Sequence, residues 1–245
     1  MLATAQPVGL ALLVIAVGIR GHGPPGREVL WACLAAAFGT SGLIAFYRGM
    51  AAGAISIVAP ISGIASAVPV IWGLAHGEHP SALQELGFVL VLGGVVATSW
   101  ERTPGRARIA AGVGWAALAL VAFGGYYVPM HTASREDFLW ASLVFRSTSA
   151  SLVWLAVLAL RQRPRGVRPH LPVLAAIGVF DTGGNVLFAA ASQEHGLLSV
   201  VSVLASLYPI VTVLLARTAL GERVQRTQEA GVVVTLAGVG LVSAG

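Results

Sequence analysis

Nine stretches of mostly apolar residues, each long enough to cross a bilayer, occupy this 245-residue chain almost end to end. A helix needs roughly 20 such residues to traverse ~30 Å of hydrocarbon. The sequence supplies them at Leu2–Gly18, Glu28–Tyr47, Gly53–Ala75, Ala82–Trp100, Ile109–Met130, Asp137–Leu160, Leu171–Ala191, Leu197–Ala219 and Thr227–Ser243. Only 10% of residues are charged, in short islands between these runs, whereas a soluble domain needs about a quarter. The ~10-residue alternating segments of a membrane barrel are absent. The expected fold class is an all-α integral membrane protein with about nine transmembrane helices.

Local signals fit these boundaries. Ser81-Ala-Leu-Gln84 and Ser134-Arg-Glu-Asp137 both have the form of a capping box. A signal peptide is the alternative for the first span, but it lacks a basic leading region and contains Gln6 and Pro7. The single Cys33 excludes a disulfide within the chain. No His/Cys cluster or CxxC suggests a metal, so no metal, cofactor or catalytic residue is expected.

Sliding the chain by 144 residues brings Gly77–Val95 over Gly221–Val239, with nine of nineteen positions identical, Gly-Glu and Gln-Glu among them. Shared apolar composition does not produce the polar matches, so the chain is internally duplicated. Five spans separate the two Gly-Glu turns. Five is odd, so the turns lie on opposite membrane faces and the halves are inverted, the usual plan of secondary transporters. Residues 1–100 form the N-terminal repeat of four helices, 101–108 the connecting loop, and 109–245 the C-terminal repeat of five.

Charge follows the same plan. Every cationic side chain among the Lys and Arg positions is Arg. Loops on one side carry Arg48, Arg102, Arg106, Arg108, Arg161, Arg163, Arg165, Arg168, Arg217, Arg223 and Arg226; the other side carries Arg20, Arg27 and Arg135. The positive-inside rule places the larger set in the cytoplasm. The net charge of +5 reflects topology and does not argue for nucleic-acid binding.

The Gly-Glu…Gln-x-x-Gly…Gly-Val block resembles the EamA-type members of the drug/metabolite transporter superfamily. The segment Ser206–Arg223 is similar to their Leu-x-Pro helix running into Gly-Glu-Arg, and Phe145-Arg146 resembles their second helix, where an Arg often lies within the apolar run. The resemblance covers essentially the whole chain. It implies ten helices, five per half, with both termini in the cytoplasm, whereas the Arg distribution places the C-terminus outside. Leu2–Gly18 pairs best with Asp137–Leu160, the second helix of its half. The partner of Ile109–Met130 is therefore the missing first helix, and either Met1 is an internal start or the chain is a shortened form.

Two ionisable residues stand at membrane depth, where each costs about 2.5–3.5 kcal/mol on insertion scales. Arg146 lies 15 residues before Arg161 and Asp181 lies 13 residues after Arg168. At ~1.5 Å per residue both are about 20 Å from the same face, so an antiparallel hairpin brings them together. Asn185 follows one turn beyond Asp181, and Gln6 occupies roughly the repeat position of Arg146. The functional reading makes these a substrate or coupling site with Asp181 protonatable; the alternative is a charge pair that locks two helices.

Tyr126 and Tyr127 either stack on a substrate or form an interfacial belt. Pro60, Pro69 and Pro209 act as hinges or shape packing. Gly49 and Gly53 fit a small-residue packing motif. Gly77, Glu78, Gly221 and Glu222 mark the motif turns, the two Glu serving as turn and cap residues.

The leading function is secondary transport of a small metabolite or drug-like solute by alternating access. No GxxxxGK[ST] motif supports ATP drive, and no HExxH or GxSxG supports a membrane-embedded enzyme. A non-transporting or truncated membrane subunit is the other alternative. The expected partners are the lipid bilayer and a small-molecule substrate, with a coupling proton and a homodimer left open and no nucleic acid. The expected location is the bacterial cell (inner) membrane, multi-pass.

Overall fold

The computed structural model describes residues 2–21, 23, 26, 28–51, 58, 61–99, 109–159, 161, 171–194, 197–207, 210, 211, 218 and 225–245. Among them, all regular structure is helical: α1 (Leu2–Arg20), α2 (Glu28–Ala51), α3 (Ala67–Ala75), α4 (Ala82–Ser99), α5 (Ile109–Ser134), α6 (Phe138–Ala159), α7 (Leu171–Gln193), α8 (Leu198–Ala205) and α9 (Arg226–Ala244). Five helices among the described residues are long and apolar enough to cross a membrane. The burial pattern suits lipid: Phe180 and Leu187 are 79% and 72% exposed, while Arg146, Gln6, Thr40, Ser149 and Thr235 are buried. Small residues fill the buried positions, with Ala32, Ala35, Ala36, Ala116 and Ala119 fully enclosed, as expected where helices associate by close packing. The chain is an all-α integral membrane protein that crosses the bilayer several times.

The helices group into two compact units, each drawing on both halves of the sequence: Met1–Thr40 with Val128–Gly196, and Ser41–Tyr127 with Leu197–Gly245. In the first unit α1 packs on α6 and α7. Gln6 meets Ser149 and Arg20 meets Asp137, so α1 and α6 run antiparallel. Gly9 allows α1 to approach α7, because a Cβ there would overlap the Thr182 hydroxyl.

In the second unit α4 and α9 pack along their length, and the glycines of the duplicated block explain how. A Cβ on Gly87 would sit 2.8 Å from the Gly238 carbonyl oxygen, and one on Gly94 would sit 2.8 Å from that of Gly231. The reciprocal positions are equally tight: Gly231 faces Gly94 and Gly238 faces Gly87. Gly87 and Gly231 are repeat equivalents, as are Gly94 and Gly238. The contact is thus self-complementary about a local twofold axis, and the two copies of this helix run in opposite directions.

Each copy starts with the same device. Ser81 N donates to Gln84 Oε1 at 2.9 Å while Gln84 N donates to Ser81 Oγ at 3.2 Å. At the equivalent positions Gln225 and Gln228 form a second reciprocal capping box. The Gln-x-x-Gly step therefore reads as a cap followed by a point of close helix approach. The second expected box is different. Helix α5 runs on to Ser134, whose hydroxyl donates to the Met130 carbonyl, and Asp137 alone caps α6 by accepting from Leu139 N and Trp140 N.

Pro69 lies inside α3, just after a 3-10 turn at Ile64–Ser66. Its missing N–H interrupts the i→i−4 ladder, and Gly124 of α5 packs into that break, 2.8 Å from a would-be Cβ to the Ala65 carbonyl oxygen. Gly49 packs against Val58 and Trp115. Pro60, Pro209 and Gly53 lie outside the described residues.

Candidate functional site

The site is built from the inside of the first unit. Arg146 sits midway along α6, which carries no other charge, and Asp181 sits midway along α7, which likewise carries no other. The antiparallel hairpin brings them together: Arg146 Nη1 donates to Asp181 Oδ2 at 2.6 Å. The pair is lopsided. The Arg146 side chain is 2% exposed, the Asp181 side chain 47%.

Nε and Nη2 of Arg146 are buried and make no hydrogen bond with the described residues. Buried donors without acceptors are costly, so this guanidinium has hydrogen-bonding capacity that the ion pair does not use.

Neutral polar groups surround the same helix face. Gln6 Nε2 donates to Ser149 Oγ at 3.0 Å, and Ser149 Oγ also bonds Thr40 Oγ1 at 2.9 Å. Off that face, Cys33 contacts Thr148, two residues beyond Arg146, at 3.4 Å between sulfur and hydroxyl. Gln6 Oε1, Ser142 Oγ and Thr182 Oγ1 are buried without a partner among the described residues. Ser142 and Ser149 lie four before and three after Arg146, on its stripe of the helix. Sequence reasoning passed over these hydroxyls because Ser and Thr are ordinary in membrane helices; their helical register with Arg146 was the available signal.

The candidates divide between the units. Gln6, Arg146, Asp181 and Asn185 belong to the first. Asn185 turns its Nδ2 to the Asp181 backbone carbonyl at 2.7 Å, a bond to the main chain of its own helix. Tyr126 and Tyr127 belong to the second unit, where their rings meet edge to face at 5.3 Å. Gly221 and Glu222 lie outside the described residues.

Gly77 and Glu78 end α3 in a Schellman arrangement. Gly77 has φ +89°, its N–H bonds the Leu74 carbonyl, and Glu78 N–H bonds the Gly73 carbonyl. The Glu78 carboxylate then reaches the start of α8 in the other half of the sequence, accepting from Leu198 N at 2.6 Å and Ser199 N at 3.0 Å. The sequence identified a cap residue. It did not identify the distant helix that is capped.

Twenty solved chains match this fold. One, a crystal structure of a protein, superposes with a TM-score of 0.80 at 16% sequence identity, covering 98% of this chain and 86% of its own. No curated protein matches. A sequence profile described as the EamA-like transporter family matches residues 110–244, from the first turn of α5 to the end of α9. With more than half of its length matched in this way, the chain belongs to the EamA-like transporter family.

Proposed function

We propose that this protein is a secondary transporter that moves a small metabolite or drug-like solute across a bacterial inner membrane by alternating access. Residues 1–100 and 109–245 act as inverted repeats in this reading, with the Arg-rich loops cytoplasmic. Arg146 and Asp181 form the substrate and coupling site, with Gln6 and Asn185 beside them, and Asp181 carries the coupling proton.

The observation that carries the reading is the guanidinium of Arg146, buried at membrane depth and bonded, among the described residues, through one nitrogen. A pair that served only to lock two helices would gain most by bidentate contact between its members. An intramembrane ionisable group that keeps unused donors points to a substrate or ion pathway. Antiparallel packing of α4 on α9, and of α1 on α6, gives the inverted-repeat arrangement physical support.

The test is flux of a metabolite panel in reconstituted vesicles. At least one solute should cross with wild-type protein and stop crossing with the folded double variant Arg146→Gln/Asp181→Asn. Flux that survives in that variant removes the pair from the mechanism, and wild-type vesicles that move no solute refute the transporter reading.

A further inference from the structure

We infer that the solute held at Arg146 is a monocarboxylate, gripped side-on by Nε and Nη2, and that its binding makes Asp181 take up one proton. The inference rests on the transporter reading above and names its substrate class. In a guanidinium, Nε–H and one N–H of Nη2 point the same way, spaced to meet the two oxygens of one carboxylate. That edge is the part of Arg146 left unpartnered among the described residues, while Nη1 holds Asp181. The same unit holds further buried polar atoms without a partner among the described residues: Ser142 Oγ one turn earlier on α6, and Gln6 Oε1 on the amide that Ser149 holds.

Charge narrows the ligand. Among the helices that meet here, α1 carries only Arg20, α6 only Arg146 and α7 only Asp181, while α2, whose Thr40 bonds Ser149, carries its charges at Glu28 and Arg48 near its ends. Arg20 is paired with Asp137 at the helix ends. Arg146 is therefore the single cation facing Asp181 from these elements, and the pair is neutral. An incoming carboxylate places two anions on one guanidinium, an arrangement relieved when one of them is protonated. Among the described residues Asp181 holds one Nη1 contact, whereas the solute gains two, so Asp181 is the partner that changes.

The step balances as Asp181 carboxylate plus solute carboxylate plus one proton from water, giving Asp181 carboxylic acid and bound solute anion. The site is neutral before and after, so solute and proton travel together without net charge. A phosphate dianion leaves an excess negative charge at depth, and an ester or amide does not fill two donors with two equivalent acceptors.

The probes are acetate, butyrate and phenylacetate, each beside its amide, with phenyl phosphate as the dianion, added to the purified full chain in detergent. Thermal stabilisation reads binding, and the pH of a weakly buffered solution reads proton uptake. At least one carboxylate should bind and draw about one proton per site, while the amides and the phosphate do neither. Arg146→Lys, which keeps the charge and loses the fork, should bind at least about tenfold more weakly. Asp181→Asn should bind the carboxylate with no proton uptake. Arg146→Gln/Asp181→Asn, uncharged and able to keep one hydrogen bond, guards against misfolding and should bind none.

Amides binding as well as acids, carboxylate binding that survives in the double variant, or no carboxylate binding at all overturns the inference. If neutral solutes still cross vesicles with wild-type protein and not with the double variant, the carboxylate inference alone has fallen. If no solute crosses, the transporter reading has fallen with it.

Discussion

Removing the Glu78 carboxylate tests how the two halves of the sequence are joined in the second unit. In Glu78→Ala the N–H groups of Leu198 and Ser199 lose acceptors at 2.6 and 3.0 Å. A cap lost to alanine costs about 0.5–2 kcal/mol, and a charged acceptor on a helix N-terminus adds about 0.3–1 kcal/mol. The site is partly buried, so water recovers only part of this, and about 2 kcal/mol is expected. For a chain of this length that lowers Tm by about 4–8 °C; Glu78→Gln, which keeps an acceptor, should lose roughly half as much.

Gly73 supplies the control. The carboxylate lies against it, with Glu78 Cδ 2.6 Å from where a Cβ would stand. Gly73→Ala must therefore push the carboxylate off α8 and should cost about 1 kcal/mol, the lost cap offset by up to about 1 kcal/mol of helix propensity. With Glu78→Ala already present, Gly73→Ala should be neutral or stabilising. The assay is thermal unfolding in detergent of wild type, both single variants and the double. A Tm for Glu78→Ala within about a degree of wild type, or an equal effect of Gly73→Ala in both backgrounds, refutes the reasoning.

Other outcomes follow from the same structure. Gly94→Val or Gly231→Val should force α4 from α9 at a cost of about 1–3 kcal/mol or more, whereas Gly240→Ala, with nothing within 4 Å of its would-be Cβ, should be neutral or stabilising by Tm in detergent. Asp181→Asn should stop pH-driven flux while preserving the fold. If the pair is structural instead, Asp181→Ala should cost towards the lower end of about 3–5 kcal/mol because Asp181 is half-exposed, and adding Arg146→Leu should restore expression. In a Cys33→Ala background, an impermeant thiol reagent added to intact cells should label a cysteine at position 79 and not one at position 226; the opposite pattern reverses the assigned orientation.

Much of this was legible because the bilayer imposes strong rules. Span length points to apolar helices, and the 144-residue register to the paired glycines of α4 and α9, from patterns that do not depend on packing detail. The Arg146–Asp181 contact followed from counting residues to one membrane face, since helix rise is constant. What escaped the sequence depends on third partners. Asn185 lies one turn from Asp181, and its amide bonds the backbone carbonyl of Asp181 on its own helix. Glu78 caps a helix 120 residues away, a choice set by tertiary placement. Tyr126 and Tyr127 follow Gly124, and the structure gives that glycine a packing reason in the break at Ala65 that periodicity could not supply. Asp137 has the right spacing from Ser134 for a capping box, but Ser134 is the last residue of α5 and its hydroxyl turns back to Met130.

The most direct test of alternating access is accessibility at the site itself. In Cys33→Ala protein reconstituted in one orientation, a single cysteine at position 185 is exposed to an impermeant thiol reagent from each side of the membrane in separate experiments. Alternating access predicts that position 185 is labelled from either side, and that a solute held in excess on one side shifts the rates in opposite directions. Labelling from one side only, unchanged by any transported solute, contradicts the account.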